Sequence, residues 1–206
     1  MNDSQKEFIS KIYANCELYA DKYSIKCVPA VVAQAVLESN FGKSKLASVY
    51  HNYFGLKCGS LWKGKSVNLT TKEEYTYNQL TTIKDNFRVY DDMRSGVLGY
   101  FVFISTKRYA NLKGIEDPRT YLETILADGY ATDHRYVSKC MNIIESYIDP
   151  WLKAGSQNSD YYNIAKEVIA GKWGNGEIRK KRLEEAGYVY RIVQQEVNKI
   201  MRGSTS

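Results

Sequence analysis

The chain has 206 residues, 44% hydrophobic and 25% charged, which is enough for one full domain with a real core plus a small module. A formal net charge of +6 and a pI near 9.0 suit an anionic polymer as partner, nucleic acid or bacterial cell wall, and no apolar run reaches membrane-spanning length. Cys16, Cys27, Cys58 and Cys140 are scattered, with no Cys-x-x-Cys pair and two histidines, His51 and His134. That spacing argues against a metal site and against a disulfide framework, so free, partly buried thiols and no metal or other cofactor are expected.

Met1-Asn2-Asp3-Ser4-Gln5-Lys6-Glu7 lacks the basic-then-apolar layout of a secretory signal. Synthesis in a host cytoplasm with release by other means is expected; a leader already removed is the alternative. From Ser4 to about Ile25, Phe8, Ile12, Leu18 and Tyr19 mark a first amphipathic helix. The run Val28-Pro29-Ala30-Val31-Val32-Ala33-Gln34-Ala35-Val36-Leu37 predicts a second, with Pro29 in its first turn.

Glu38 closes that run, directly before Ser39-Asn40-Phe41-Gly42. It follows Val31 by seven residues and Ala35 by three, which places it on the core-facing side. Apolar surroundings favour the protonated carboxyl, the state in which it can serve as a general acid. An ordinary glutamate turned to water at a helix end is the competing reading.

A Gly- and Lys-rich stretch runs from Asn52 to Lys65. Alternation at Val67 and Leu69, Tyr75 and Tyr77, and Phe87 and Val89 then predicts half-buried strands over 66–90. Helical spacing returns with Met93, Val97, Phe101 and Ile104, then Tyr121, Ile125 and Leu126, then Val137, Met141 and Ile144. This reads as a mostly helical domain with one small β-ribbon over 1–152. A polar linker over 153–159 and a separate block over 160–206 follow. In that block Ile164, Val168, Leu183, Ile192, Val193, Val197 and Ile200 suggest three short helices. So small a core is marginal alone and would dock on the larger domain or on a second copy.

The stretch Gln34-Ala35-Val36-Leu37-Glu38-Ser39-Asn40-Phe41-Gly42-Lys43-Ser44 resembles the catalytic-helix motif of the glycoside hydrolase family 73 endo-β-N-acetylglucosaminidases, the flagellar hydrolases and autolysins. Asn52-Tyr53-Phe54-Gly55-Leu56-Lys57, Thr71-Lys72-Glu73-Glu74-Tyr75, Phe87-Arg88-Val89-Tyr90-Asp91 and Gly129-Tyr130-Ala131-Thr132-Asp133 resemble further family elements, in the family's order. The resemblance spans about residues 5–150. It implies an α+β, lysozyme-like fold, a groove between a helical and a β-lobe, and peptidoglycan glycan as substrate. Within it, Glu38 matches the general acid, Glu74 the β-lobe carboxylate and Tyr130 a tyrosine lining the cleaved bond. Glu73 is an adjacent rival to Glu74. Asn52, Phe54, Asp133 and Tyr136 suit a substrate-binding wall, with core packing an equal reading for Phe54 and helix capping the favoured one for Asp133.

Ala165-Lys166-Glu167-Val168-Ile169-Ala170-Gly171-Lys172-Trp173-Gly174-Asn175-Gly176, followed by Arg179-Lys180-Lys181-Arg182-Leu183, resembles a cell-wall-binding repeat of certain phage lysozymes. Trp173 and Arg179 are its candidate ligand contacts, while Trp173 could equally be core. Ile178 and Val189 stand where acidic residues are commoner. The resemblances together imply a peptidoglycan hydrolase, an endolysin or autolysin acting on the wall. No nucleic-acid partner and no stable membrane insertion are expected, and a homodimer through the C-terminal module is an open expectation. A muramidase, a lytic transglycosylase or a non-catalytic wall-binding protein are the alternatives.

Overall fold

The computed structural model describes residues 1–60, 62–76, 79–155 and 159–203, with side chains described throughout these except at 71–83, 155, 159 and 203. Helix α1 (Asp3–Ala20) begins at a capping box. Gln5 N donates to Asn2 Oδ1 at 2.9 Å, and Asn2 N donates to Gln5 Oε1 at 3.0 Å. Phe8, Ile9, Ile12, Tyr13, Cys16 and Ala20 form its buried face. The helix stops short of the expected Ile25, because Ser24 turns left-handed (φ 59°) and the Ile25 N–H reaches back to Ala20 O at 2.9 Å.

Helix α2 (Val28–Ser39) carries Pro29 in its first turn, where the missing N–H costs nothing. Every residue from Ala30 to Val36 is buried, so this helix is enclosed on all sides and forms the axis of the core. It packs against α1, α5 (Pro118–Ala127) and α6 (Tyr136–Ile143). The helix ends in three successive residues of positive φ: Asn40 at 50°, Phe41 at 54° and Gly42 at 76°. Ser39 staples that turn, its hydroxyl donating to Ala35 O at 2.5 Å and accepting from Gly42 N at 2.8 Å. A Cβ on Gly42 would lie 2.7 Å from the Phe8 ring, so this position requires glycine for space as well as for φ. Ser44 then caps the short α3 (Lys45–Ser48), accepting from Ala47 N at 3.2 Å.

The ribbon consists of β1 (Ser66–Thr76) and β2 (Gln79–Arg88), antiparallel from Ser66 opposite Arg88 to Glu74 opposite Leu80, with an irregularity between Glu74 and Thr76. The three alternating runs in the sequence thus resolve into two strands; Tyr77 lies outside the described residues. At its base the ribbon is sewn to the helical body. Cys58 N donates to Asn86 O (2.8 Å), Arg88 N to Leu56 O (3.0 Å) and Tyr90 N to Tyr50 O (3.0 Å).

Helix α4 (Met93–Ile104), capped by Asp92, lies on α1. A 3₁₀ segment (Lys107–Leu112) leads to α5. Helix α6 continues through a π-helical turn (Ile144–Ile148) into α7 (Asp149–Gly155), so 153–155, expected to open the linker, are helical.

Helices α8 (Ser159–Ile169), α9 (Gly176–Glu185) and α10 (Tyr190–Gly203) match the three expected from apolar spacing. Ala165, Val168, Leu183, Val193 and Val197 make a small core of their own. Val189 and Ile192 are instead buried in the main core. The C-terminal block therefore seats on the larger body, with α9 packed against α1 and Tyr190 at the start of α10 bonded to Glu17 of α1. Cys16, Cys27 and Cys140 are buried free thiols, and Cys58 is a half-buried one.

Candidate active site

A groove of about 840 Å³ runs between the helical body and the base of the ribbon. The end of α2 gives it Leu37 and Glu38, the 54–59 loop gives Phe54, Gly55 and Lys57, and the ribbon gives Leu69, Phe87 and Arg88. The far wall holds Arg108, the 129–133 turn, Tyr136 and Lys139.

Glu38 belongs to this groove and is solvent-exposed, not turned into the core as the helical spacing predicts. The reason is local. Helix α2 is enclosed on all sides only as far as Val36; in its last turn Ser39 stays buried while Leu37 and Glu38 emerge at the groove wall. Opposite it, Gly55 has φ 65°, and a Cβ there would stand 3.0 Å from Glu38 Oε2. The left-handed glycine leaves room for the carboxylate.

Tyr130 faces the same space. Its hydroxyl donates to Phe54 O at 2.8 Å, and its ring packs edge-on to Tyr100 at 6.2 Å. Burial drives the phenol well above its ordinary range, and the nearby charge of Glu38 raises it further, so Tyr130 is a proton-bearing hydroxyl.

The other expected wall residues divide. Asp133 lines the groove, but its carboxylate is occupied: Oδ1 accepts from Arg135 N at 2.8 Å and Oδ2 pairs with Lys139. Burial pushes this carboxyl up; Lys139 and the Arg135 N–H outweigh that and hold it below the usual range. Tyr136 also lines the groove, with its hydroxyl accepting from Gln34 Nε2 at 2.9 Å beneath the surface. Phe54 is 2% exposed and stacked on Tyr100, centroids 4.1 Å apart, so its ring serves the core and not a sugar face.

Asn52 is not brought to the groove. It is buried, and its amide is spent on backbone: Nδ2 donates to Leu56 O and Arg88 O, and Oδ1 accepts from Leu56 N, all at 2.9 Å. It ties the 52–56 loop to the ribbon base. Glu73 and Glu74 sit on β1 opposite Thr81 and Leu80; their side chains lie outside the described residues.

Three contributors were not foreseen. Gln34 is fully buried between hydroxyls, donating to Tyr136 and accepting from Tyr100 at 2.6 Å, while Tyr100 meets Tyr121 at 3.0 Å. A single amide inside an otherwise apolar helix was the available signal. Arg108 donates to the carbonyls of Asp128 and Gly129, clamping the turn that presents Tyr130. Arg88 lies over the Trp62 ring at 4.8 Å and the Phe103 ring at 5.2 Å. Arg88 stands in the Phe87-Arg88-Val89-Tyr90-Asp91 element without a role read from it, and Arg108 has no local sequence mark.

In the C-terminal helices Trp173 is half-buried, its indole N–H donating to Glu167 Oε2 at 3.0 Å, and it packs edge-on to Tyr188. Arg179 grips the preceding turn, donating to Gly174 O at 2.9 Å and Asn175 Oδ1 at 3.0 Å.

Comparison with known proteins fits this architecture. Residues 14–149 match the glucosaminidase family model described as mannosyl-glycoprotein endo-beta-N-acetylglucosaminidase, and residues 163–201 match the CW_7 repeat. The exo-glucosaminidase LytG of Bacillus subtilis (strain 168) is 29% identical over 184 residues, 82% of this chain and 64% of that protein. The peptidoglycan hydrolase FlgJ of Pseudomonas aeruginosa is 31% identical over 148 residues, 68% of this chain and 36% of that protein. The chain thus spans less than two thirds of the length of either relative. The crystal structure of a peptidoglycan hydrolase mutant from Sphingomonas sp. A1 superposes with a TM-score of 0.61 at 30% identity, covering 68% of this chain and 92% of that one. The lysozyme-like α+β class expected from the sequence is the class of this neighbour, and the chain belongs to the mannosyl-glycoprotein endo-beta-N-acetylglucosaminidase family, with one CW_7 repeat after the family domain.

Proposed function

We propose that the chain hydrolyses the glycan of bacterial peptidoglycan, cleaving the β-1,4 bond after N-acetylglucosamine, with Glu38 as general acid. The observation that carries this reading is the placement of Glu38: a carboxylate in an open groove, with Gly55 clearing its space and Tyr130, its hydroxyl bonded to Phe54 O, lining the same cavity. A polysaccharide lying in the groove would displace water from around Glu38. That supplies the apolar enclosure the protein alone leaves open and favours the protonated carboxyl. Proton transfer to the leaving oxygen then develops positive charge on the sugar ring, and a carboxylate on the ribbon, Glu74, is assigned to stabilise it or to activate water. Tyr130 lines the cleaved bond.

The relatives' names support wall glycan as the substrate class. In this reading residues 1–152 are the catalytic unit, 153–159 the connection and 160–206 a wall-binding module using Trp173 and Arg179, in an endolysin or autolysin released to the wall. The net charge of +6 favours retention on an anionic wall. Glu38→Gln tests the assignment. Loss of turbidity clearance of purified walls with an unchanged circular-dichroism spectrum is expected, and full activity in that variant removes Glu38 as the acid.

A further inference from the structure

The seat of the C-terminal helices on α1 contains two buried carboxylates. Glu17 on α1 is 8% exposed and Glu184 on α9 is 7% exposed. Glu17 Oε2 accepts from Tyr190 N at 3.1 Å, across the contact. Among the described residues Glu184 Oε1 has no hydrogen-bond partner. A cavity of about 280 Å³ reaches this seam, bordered by Glu17, Asp21, Lys26, Glu177, Lys180 and Tyr190.

The cations there do not match the carboxylates. Lys180 is drawn to Asp21 Oδ2 at 2.6 Å, and Lys26 to Asp21 Oδ1 at 3.4 Å. Among the described residues Arg191 on α10 is the other cation facing Glu17 besides Lys180; on the same side stand Tyr161 of α8 and, within α1, Tyr13 and Cys16. Glu184 faces Asp21 and Glu17 of α1, and Lys180 and Glu177 of its own helix. Two ionised carboxylates in so dry a contact carry a desolvation cost that one shared lysine and one arginine do not offset.

The geometry points to a proton-dependent latch: the C-terminal module is held on α1 while Glu17 and Glu184 carry protons, and it loosens as both ionise. The direction of each carboxyl agrees. Burial, then the charge of Glu184, pushes Glu17 up to about 8, and burial pushes Glu184 up to about 7. Both lie above the free carboxyl value near 4.5. The docked state therefore binds more protons than the undocked one. Docking is strongest near about pH 4.5, because at lower pH Asp21, held below its ordinary range first by Lys180, takes a proton and that cross-contact pair is lost; above it docking weakens as pH rises toward about 8, by up to about tenfold per pH unit for each proton released. Val189 and Ile192, buried in the main core, are the apolar part of the contact that protonation reinforces.

Neither carboxylate lies in the groove, so the latch stands or falls independently of the proposed hydrolysis. The test is small-angle scattering of the full chain between pH 5 and 8.5, for wild type and Glu17→Gln/Glu184→Gln. Wild type should expand over this range while the double variant, uncharged at both positions, stays compact throughout; a thermal melt checks that it is folded. If the double variant does not fold, Glu184→Gln alone should show the expansion with about half the pH steepness. Wild-type dimensions that do not change with pH, or a variant that expands exactly as wild type does, overturn the latch.

Discussion

Oε2 of Glu38 would stand 3.0 Å from a Cβ on Gly55, and Gly55 occupies left-handed backbone at φ 65°. One residue thus supplies both the turn of the 52–56 loop and the space of the candidate acid. Gly55→Ala adds backbone strain of about 1–2 kcal/mol and presses on the carboxylate. A lowered melting temperature together with a fall of at least about tenfold in kcat/KM is expected. Unchanged kinetics in a merely destabilised protein would separate Gly55 from the site.

Glu38→Gln keeps size and hydrogen-bonding capacity but cannot deliver the proton. A drop of about 10²–10⁴ in kcat is expected, with the melting temperature near that of wild type because the side chain is exposed. Kinetics on purified glycan strands and a thermal melt measure the two effects separately.

Tyr130→Phe removes the donor to Phe54 O, a 2.8 Å bond joining the 129–133 turn to the opposite lip of the groove. About 1 kcal/mol of stability should be lost. Turnover should fall by about tenfold or more if the hydroxyl also meets the reacting sugar. A melt and a kcat measurement on the same preparation distinguish a structural from a chemical role.

Ser39→Ala deletes the hydroxyl that bridges Ala35 O and Gly42 N. The buried site and the three positive-φ residues after it make a loss of about 1–2 kcal/mol the expected result in urea unfolding. Activity should decline with it, since this turn ends the helix that carries Glu38.

Arg179→Ala releases the Gly174–Asn175 turn beside Trp173. Co-sedimentation with purified walls should weaken while hydrolysis of soluble glycan fragments is retained. Equal loss of both would assign the turn to folding alone.

Periodicity made much of the fold legible. The apolar run from Val28 to Leu37 announced α2, and the spacing from Ile164 to Ile200 announced the three C-terminal helices. The spacing of Phe8, Ile12, Leu18 and Tyr19 does not show where α1 ends: the left-handed Ser24 turns the chain before Ile25, and no composition signal marks a serine at φ 59°. The place of Glu38 at the end of the apolar run marks it as a candidate, whereas its direction is not legible there, since helical spacing cannot show where a helix leaves the core. Asn52 misled for a related reason. An amide suited to bind a sugar is equally suited to tie loop backbone, and only the distances to Leu56 and Arg88 show the latter. Docking through Val189 and Ile192 depends on contacts about 170 residues apart in sequence, as in the bond of Tyr190 to Glu17, and no local pattern encodes it.

The most direct measurement is mass spectrometry of borohydride-reduced fragments released from purified peptidoglycan by the full chain, with Glu38→Gln as control. Fragments ending in reduced N-acetylglucosamine, absent from the control, are the predicted result. Reduced or anhydro-muramic ends would contradict the bond assignment, and new ends made equally by Glu38→Gln would contradict its central residue.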